Sequence, residues 1–119
     1  MNPPDILSSA ESAFMRNAME IDILPGVRGD LEEPLASGPS AELAPFLLSL
    51  VDRGWIEVCR VIPWTAPDGS PGFQPGSPIA RGDLPVLLAD DDNWEYPDSD
   101  EWIGCLTLTL TEEGRRIPS

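Results

Sequence analysis

Between Pro63 and Gly82 the chain places five prolines and four glycines in twenty positions. Proline has a fixed φ and no backbone N–H, and glycine loses much conformational freedom on ordering. Neither a helix nor an interior strand is expected to cross such a stretch, so residues 63–82 read as a loop. Two β-rich runs flank it at a distance. Trp55 to Pro63 is dense in β-branched residues. Trp102 to Thr111 alternates, with Gly104, Leu106, Leu108 and Leu110 on one face and Cys105, Thr107, Thr109 and Thr111 on the other. Pairing them requires the chain to close over the 38 residues between.

Everything before the first strand has helical patterning. Over residues 5–21, Ile6, Ala10, Ala13, Phe14, Ala18 and Ile21 recur three or four apart, with Asn2 or Asp5 available as the cap and Pro3 and Pro4 suited to the first turn. A short helix is expected after Asp30, which can cap Leu31-Glu32-Glu33. Ser37-Gly38-Pro39-Ser40 is a turn, and Ser40 can cap a second strong helix, Ala41 to Asp52, stopped by Gly54. Leu43, Phe46, Leu47, Leu50 and Val51 form its apolar face. Asp83 can cap a third helix reaching Ala89. The predicted fold class is α+β: helices followed by a small antiparallel sheet. The whole of 1–119 reads as one domain, with residues 65–101 as a Pro/Gly loop plus an acidic insert between two strands. The predicted core is Phe14, Leu43, Leu47, Leu50, Ile56, Val58, Leu106 and Leu108.

Two local phrases sharpen this pattern. Leu47-Leu48-Ser49-Leu50-Val51-Asp52-Arg53-Gly54-Trp55-Ile56-Glu57-Val58 resembles the segment of winged-helix proteins where the third helix ends at a glycine and enters the first wing strand. Leu108-Thr109-Leu110-Thr111-Glu112-Glu113-Gly114-Arg115 is similar to the Leu-Thr-x-x-Gly-Arg close of many winged-helix transcription factors. The resemblance covers residues 5–64 and 102–116 and implies a winged-helix-like fold with a long acidic insert between the wing strands. DNA-binding members carry basic and polar side chains on the helix before the wing. Here Ala41–Asp52 offers Glu42 and Asp52 and no base.

Charge narrows function. There are 21 acids against seven bases, a net charge of -14, and neither His nor Lys occurs. Such a chain is repelled by nucleic acid and by anionic membrane surfaces and attracted to basic proteins. Without His and Lys the commonest general acid–base, metal ligand and Schiff-base nucleophile are missing, so no enzyme and no cofactor are expected. Nothing approaches a membrane span, and Met1-Asn2-Pro3-Pro4-Asp5 lacks the pattern of a signal peptide; the expected address is cytoplasmic.

The candidate site is the insert. Asp90, Asp91, Asp92, Glu95, Asp98, Asp100 and Glu101 are seven acids in twelve residues with no base among them, and Trp94, Tyr96 and Trp102 lie between or beside them. Aromatics surrounded by charge are typical of interface anchors with a polar rim. The alternative is that the tryptophans pack on the sheet while the acids face water. A calcium loop is not spelled, because the spaced Asp-x-Asp-x-Asp-Gly pattern is absent. Cys59 and Cys105 lie on the two strands expected to pair and read as small thiols. Arg-Gly-Asp at 28–30 and 81–83 reads as a turn glycine followed by a capping Asp.

These features predict an acidic protein-binding module, an inhibitor or immunity-type, DNA-mimicking protein engaging a basic protein partner. The alternative is a winged-helix-like transcriptional regulator or dimerising scaffold, self-associating through the first helix around Phe14, Met15 and Met19.

Overall fold

The first helix starts later than its apolar stripe suggests, because Ser8 and Glu11 cap one another. The Glu11 N–H donates to Ser8 Oγ at 3.1 Å and the Ser8 N–H donates to Glu11 Oε1 at 3.0 Å, a reciprocal capping box. Helix α1 is therefore Ser9–Glu20. The computed structural model describes residues 7–98 and 102–117; the expected caps Asn2 and Asp5 lie outside them, as does Ile6. Ala10, Ala13, Phe14 and Ala18 are buried as expected, and Met15 joins them. Ile21 leaves the stripe: it ends α1 in a left-handed conformation, φ 53°, with its side chain in solvent.

No helix follows Asp30. A 3-10 turn occupies Leu24–Asp30 and a second, shorter one Leu35–Ser37. Pro34 disfavours a helical Glu33, which breaks the expected segment. Helix α2 spans Ser40–Asp52 and runs through Pro45. It buries Leu43, Leu47 and Leu50 and leaves Phe46 and Val51 partly covered. Gly54, at φ 79°, supplies the left-handed turn that separates the helix from the sheet.

The sheet has three strands, β1 (Ile56–Thr65), β2 (Pro71–Pro78) and β3 (Leu106–Leu110), in the order β2-β1-β3 and all antiparallel. Ile56, Val58 and Arg60 face Leu110, Leu108 and Leu106. Cys59 faces Thr107, so the two cysteines are not opposed. β3 starts four residues later than expected, after a turn in which Gly104 has φ 91°.

Strand β2 corrects the reading of 63–82 as a loop, and the positions of its prolines explain the correction. The Val61 N–H donates to the Cys105 carbonyl and the Val61 carbonyl accepts from the Gly104 N–H, each at 2.9 Å. The backbone groups of Val61, and by alternation of Pro63 and Thr65, thus point away from β2. Their register partners Pro75, Phe73 and Pro71 point outward in the same way on the other side. Pro71 and Pro75 sit where an N–H would face solvent, so they cost the ladder no bond. They belong to an edge strand, the place in a sheet where proline is tolerated.

Helix α3, Leu84–Ala89, follows as expected, although the Asp83 side chain makes no capping bond to it. Past β3 the chain is clamped to the turn between α2 and β1. The Thr111 hydroxyl donates to the Gly54 carbonyl and accepts from the Gly114 N–H at 3.0 Å. A side chain at position 114 would collide with the Trp55 carbonyl. The Leu-Thr-x-x-Gly phrase is thus a hydroxyl bridge followed by a close backbone approach.

All eight residues of the expected core are buried. The same cluster also takes Met15, Leu24, Val27, Leu84, Leu88 and Trp94, so the segment between β1 and β3 contributes to it directly. Leu108→Ala and Leu47→Ala should each lower unfolding stability by about 2–5 kcal/mol, read by urea denaturation, since both side chains are fully enclosed. Leu110→Ala, at a partly exposed position, should cost clearly less.

Candidate functional site

After α3 the chain turns back toward α1 through a short 3-10 turn at Asp91–Trp94. Trp94 drives that turn inward. Its ring meets Phe14 edge-on, 6.0 Å between centroids, and its Nε1–H donates to the Leu88 carbonyl at 2.9 Å. Both halves of the indole are satisfied, the apolar body by packing and the N–H by a carbonyl. The Arg28 guanidinium lies 5.9 Å from the same ring and donates through Nη1 to the carbonyls of Ala36 and Gly38, both at 2.9 Å. Arg28 therefore ties the 24–30 turn, the 35–38 turn and the Trp94 segment together.

Asp91 reaches a helix end. Its Oδ1 accepts from the backbone N–H of Ser40, the first residue of α2, at 3.1 Å. Ser40 was the expected cap; instead Asp91, 51 residues further on, fills that role, and the Ser40 hydroxyl donates to the Ala89 carbonyl at 3.4 Å. A carboxylate is favoured there by the unpaired N–H groups and by the positive end of the helix dipole. The bonds from Ser40, with a smaller contribution from the Arg28 charge, hold the Asp91 carboxyl below its ordinary value.

These contacts leave a groove of about 670 Å³ between the two turns and the 91–96 segment. Pro25, Gly26, Arg28 and Gly29 form one wall, Ala36 to Pro39 another, and Asp91, Trp94, Glu95 and Tyr96 the third. Tyr96 is 56% exposed, and Asp90, Asp92, Glu95 and Asp98 are exposed around it. Partial burial, then the nearby Asp22 carboxylate, push the Tyr96 hydroxyl above its usual value, so it stays a protonated donor at neutral pH.

Of the residues singled out from the sequence, Asp91, Trp94, Glu95 and Tyr96 are brought to one groove, with Asp90, Asp92 and Asp98 beside them in the chain. Trp94 corrects the expectation of an interface anchor: it is 1% exposed, and its partners are in its own core. Trp102 is half-buried and lines a different cavity, of about 140 Å³. Asp100 and Glu101 lie outside the described residues. The sequence reading missed the other two walls. Arg28-Gly29 and Ser37-Gly38-Pro39 were legible as turns, but nothing local marks two turns as the partners of a segment more than fifty residues away.

Most of the basic residues are engaged inside the fold. Arg81 makes a bidentate pair with Asp52 at 2.6 and 3.1 Å, Arg53 pairs with Glu11 at 3.4 Å, and Arg16 with Asp30 at 3.4 Å. Arg60 donates to the Gly104 carbonyl at 2.8 Å. Burial pushes the Cys59 thiol up, away from the nucleophilic thiolate. Among the described residues no group of three or more carboxylates and thiols converges as a metal site, and no helix is long and apolar enough to cross a membrane. No known protein family, curated protein or solved structure matches this chain.

The Asp91–Ser40 bond sets a pH dependence. The folded carboxyl titrates below its unfolded value, so its contribution is complete above the ordinary Asp range, about pH 4. It is lost as pH falls through the lower, folded value. Asp91→Asn should flatten this acid limb of the stability curve, measured by thermal melts between neutral and strongly acidic pH. Asp90→Asn, which leaves the α2 end untouched, should leave the limb in place.

Proposed function

We propose that this chain is an acidic protein-binding module that engages a basic protein partner, in the manner of an inhibitor or immunity-type, DNA-mimicking protein. The observation that carries the reading is the groove rim. Asp90, Asp92, Glu95 and Asp98 are exposed on one continuous segment, and Tyr96 is exposed among them over a concave floor. An amphipathic aromatic within a ring of carboxylates suits a partner surface carrying Arg and Lys. Asp91 and Trp94 would hold the segment in place and not touch the partner. Asp100, Glu101 and Trp102 extend the acidic segment in sequence.

Several facts support a protein partner over nucleic acid. The net charge is -14, and five of the seven arginines, Arg16, Arg28, Arg53, Arg60 and Arg81, are occupied by a carboxylate or by backbone carbonyls. The missing His and Lys and the buried Cys59 thiol favour binding over catalysis. A buried thiol also suits the reducing cytoplasm, the compartment we assign.

A second reading is a winged-helix-like regulator or scaffold. It draws on the pairing of β1 with β3 directly after α2 and on the isolated bridge between Ile23 and Thr107 at the far side of β3. Under that reading residues 66–105 form an enlarged insert within the wing.

Capture from native lysate at low salt, followed by a salt step, identifies the partner for kinetic work. Association should slow steeply as salt rises, and Asp90→Asn/Asp92→Asn/Asp98→Asn should slow it further with little change in dissociation. Tyr96→Ala should act on dissociation, by about tenfold or more. An association rate indifferent to both salt and the triple substitution would refute the acidic-face reading.

A further inference from the structure

A second surface has the opposite character. Ile21, Ile23, Val61, Phe73, Gln74, Pro75, Trp102 and Thr107 line a cavity of about 140 Å³ on the face of the sheet away from Leu106 and Leu108. None of them ionises. Three other grooves each include at least one charged side chain: Arg28, Asp91 and Glu95 in the one beside Tyr96, Arg60 and Asp83 in one between β1 and α3, and Arg115 in one beside Met19 and Leu110. Ile23 and Val61 are buried at this uncharged cavity, while two of its large apolar side chains are exposed, Phe73 at 51% and Ile21 at 54%.

Ile21 is held there at a conformational cost. A β-branched residue at φ 53° is an outlier, and such positions belong to Gly, Asn and Asp by steric preference. The left-handed turn takes the isoleucine off the buried stripe of α1 and sets it on the cavity rim. Strain retained at an exposed apolar side chain points to a role on that surface.

The arm that supplies Phe73 is nearly free of charge as well. Residues 61–80 contain one acid, Asp68, and no base, in a chain of 21 acids. Pro71 and Pro75 remove two outward N–H groups of its edge and leave that of Phe73, so strand addition is disfavoured there and a face is the better contact. The face combines a projecting ring, Phe73, with a recess close in size to the roughly 150 Å³ cavities that accept a benzene ring. A patch carrying both a knob and a socket can match a copy of itself about a two-fold axis. It is also the groove where two copies of charge -14 can meet without bringing carboxylates of its lining together.

We propose that the face around Ile21 and Phe73 is the interface of a two-fold homodimer, with the Phe73 ring of each copy seated in the partner copy's recess. Of the residues around which the sequence places self-association, Phe14 and Met15 are buried and Met19 alone is exposed. The dimer does not depend on the acidic-face reading, and salt separates the two. Rising salt screens repulsion between the copies and tightens the dimer several-fold, whereas it weakens binding of a basic partner.

Sedimentation velocity over a wide concentration range tests this. The mass should rise from 12.9 kDa to twice that value, with the transition moving to lower concentration as salt increases. Ile21→Asn should weaken dimerisation by tenfold or more. Because Asn accepts the left-handed turn, its melting temperature should hold or rise, so lost assembly would not reflect lost folding. Phe73→Ser should weaken the dimer likewise, while Trp64→Ser, on the opposite face of the arm, should not. A single 12.9 kDa species at every concentration overturns the proposal. A dimer unchanged by both Ile21→Asn and Phe73→Ser overturns it equally.

Discussion

The burial of Trp94 is the constraint on which the rest of the structure depends. The strands β1 and β3 pair residue for residue although about forty residues separate them, and closing a loop of that length carries an entropic cost that local contacts do not offset. Trp94 places the far end of the intervening segment against Phe14 on α1, and Leu84 and Leu88 follow it into the same cluster. The segment becomes a wall of the core. The indole N–H, which would otherwise be a buried unpaired donor, is satisfied by Leu88 within the same segment. Packing and hydrogen bonding thus select one position for the turn at 91–94. The position of Asp91 at the start of α2 and of Tyr96 above the groove follows from that choice.

How much of this was legible in the sequence depends on the range of the interaction. Helix periodicity placed Phe14, Leu43, Leu47 and Leu50 correctly, and the alternation of 106–110 placed Leu106 and Leu108. Those signals are local and repeat over several turns or residues. Caps were harder. Ser8 and Glu11 form the capping box at α1, a pattern present in the sequence that lies inside the apolar periodicity of residues 5–21 and not at its start. Ser40 looked like the cap of α2, yet its cap comes from Asp91, and no window of neighbouring residues contains that pairing. Trp94 was assigned to a surface because acids surround it in sequence. In space those acids point outward from a turn whose single large apolar residue points inward.

The stretch from Pro71 to Pro78 is a different kind of misreading. Its prolines were counted as breakers, which is right for a helix or a central strand. What decides the matter is which side of the strand each proline occupies. Pro71 and Pro75 fall two register steps either side of Phe73's outward-facing position, where the missing N–H has no partner to lose. The glycines of the same strand also have a use. Gly72 lies under the Trp64 ring, with a would-be Cβ 3.1 Å from Trp64 Cε3, and Gly76 lies against Ile62 in the same way at 3.0 Å. Cross-strand cover of glycine by larger side chains stabilises a ribbon that has few side chains of its own.

Charge is unevenly distributed along the chain: residues 90–98 hold five of the 21 acids, whereas residues 61–80 hold one. The acidic segment at 90–98 is held by a buried tryptophan and a capping carboxylate; the nearly uncharged arm at 61–80 is held by backbone pairing, by cross-strand cover of its glycines and by Val61 and Ile79 at its base. Under the two proposals the surfaces should respond to ionic strength in opposite senses, because attraction of a basic partner is screened by salt and so is repulsion between copies. A chain with carboxylates spread evenly over its surface would have neither property: every face would repel a second copy, and no face would steer a basic partner in one orientation. The prolines of the arm bear on the same point: an uncharged strand edge on an otherwise repulsive protein would be its easiest point of open-ended assembly, and Pro71 and Pro75 take two outward N–H groups from that edge.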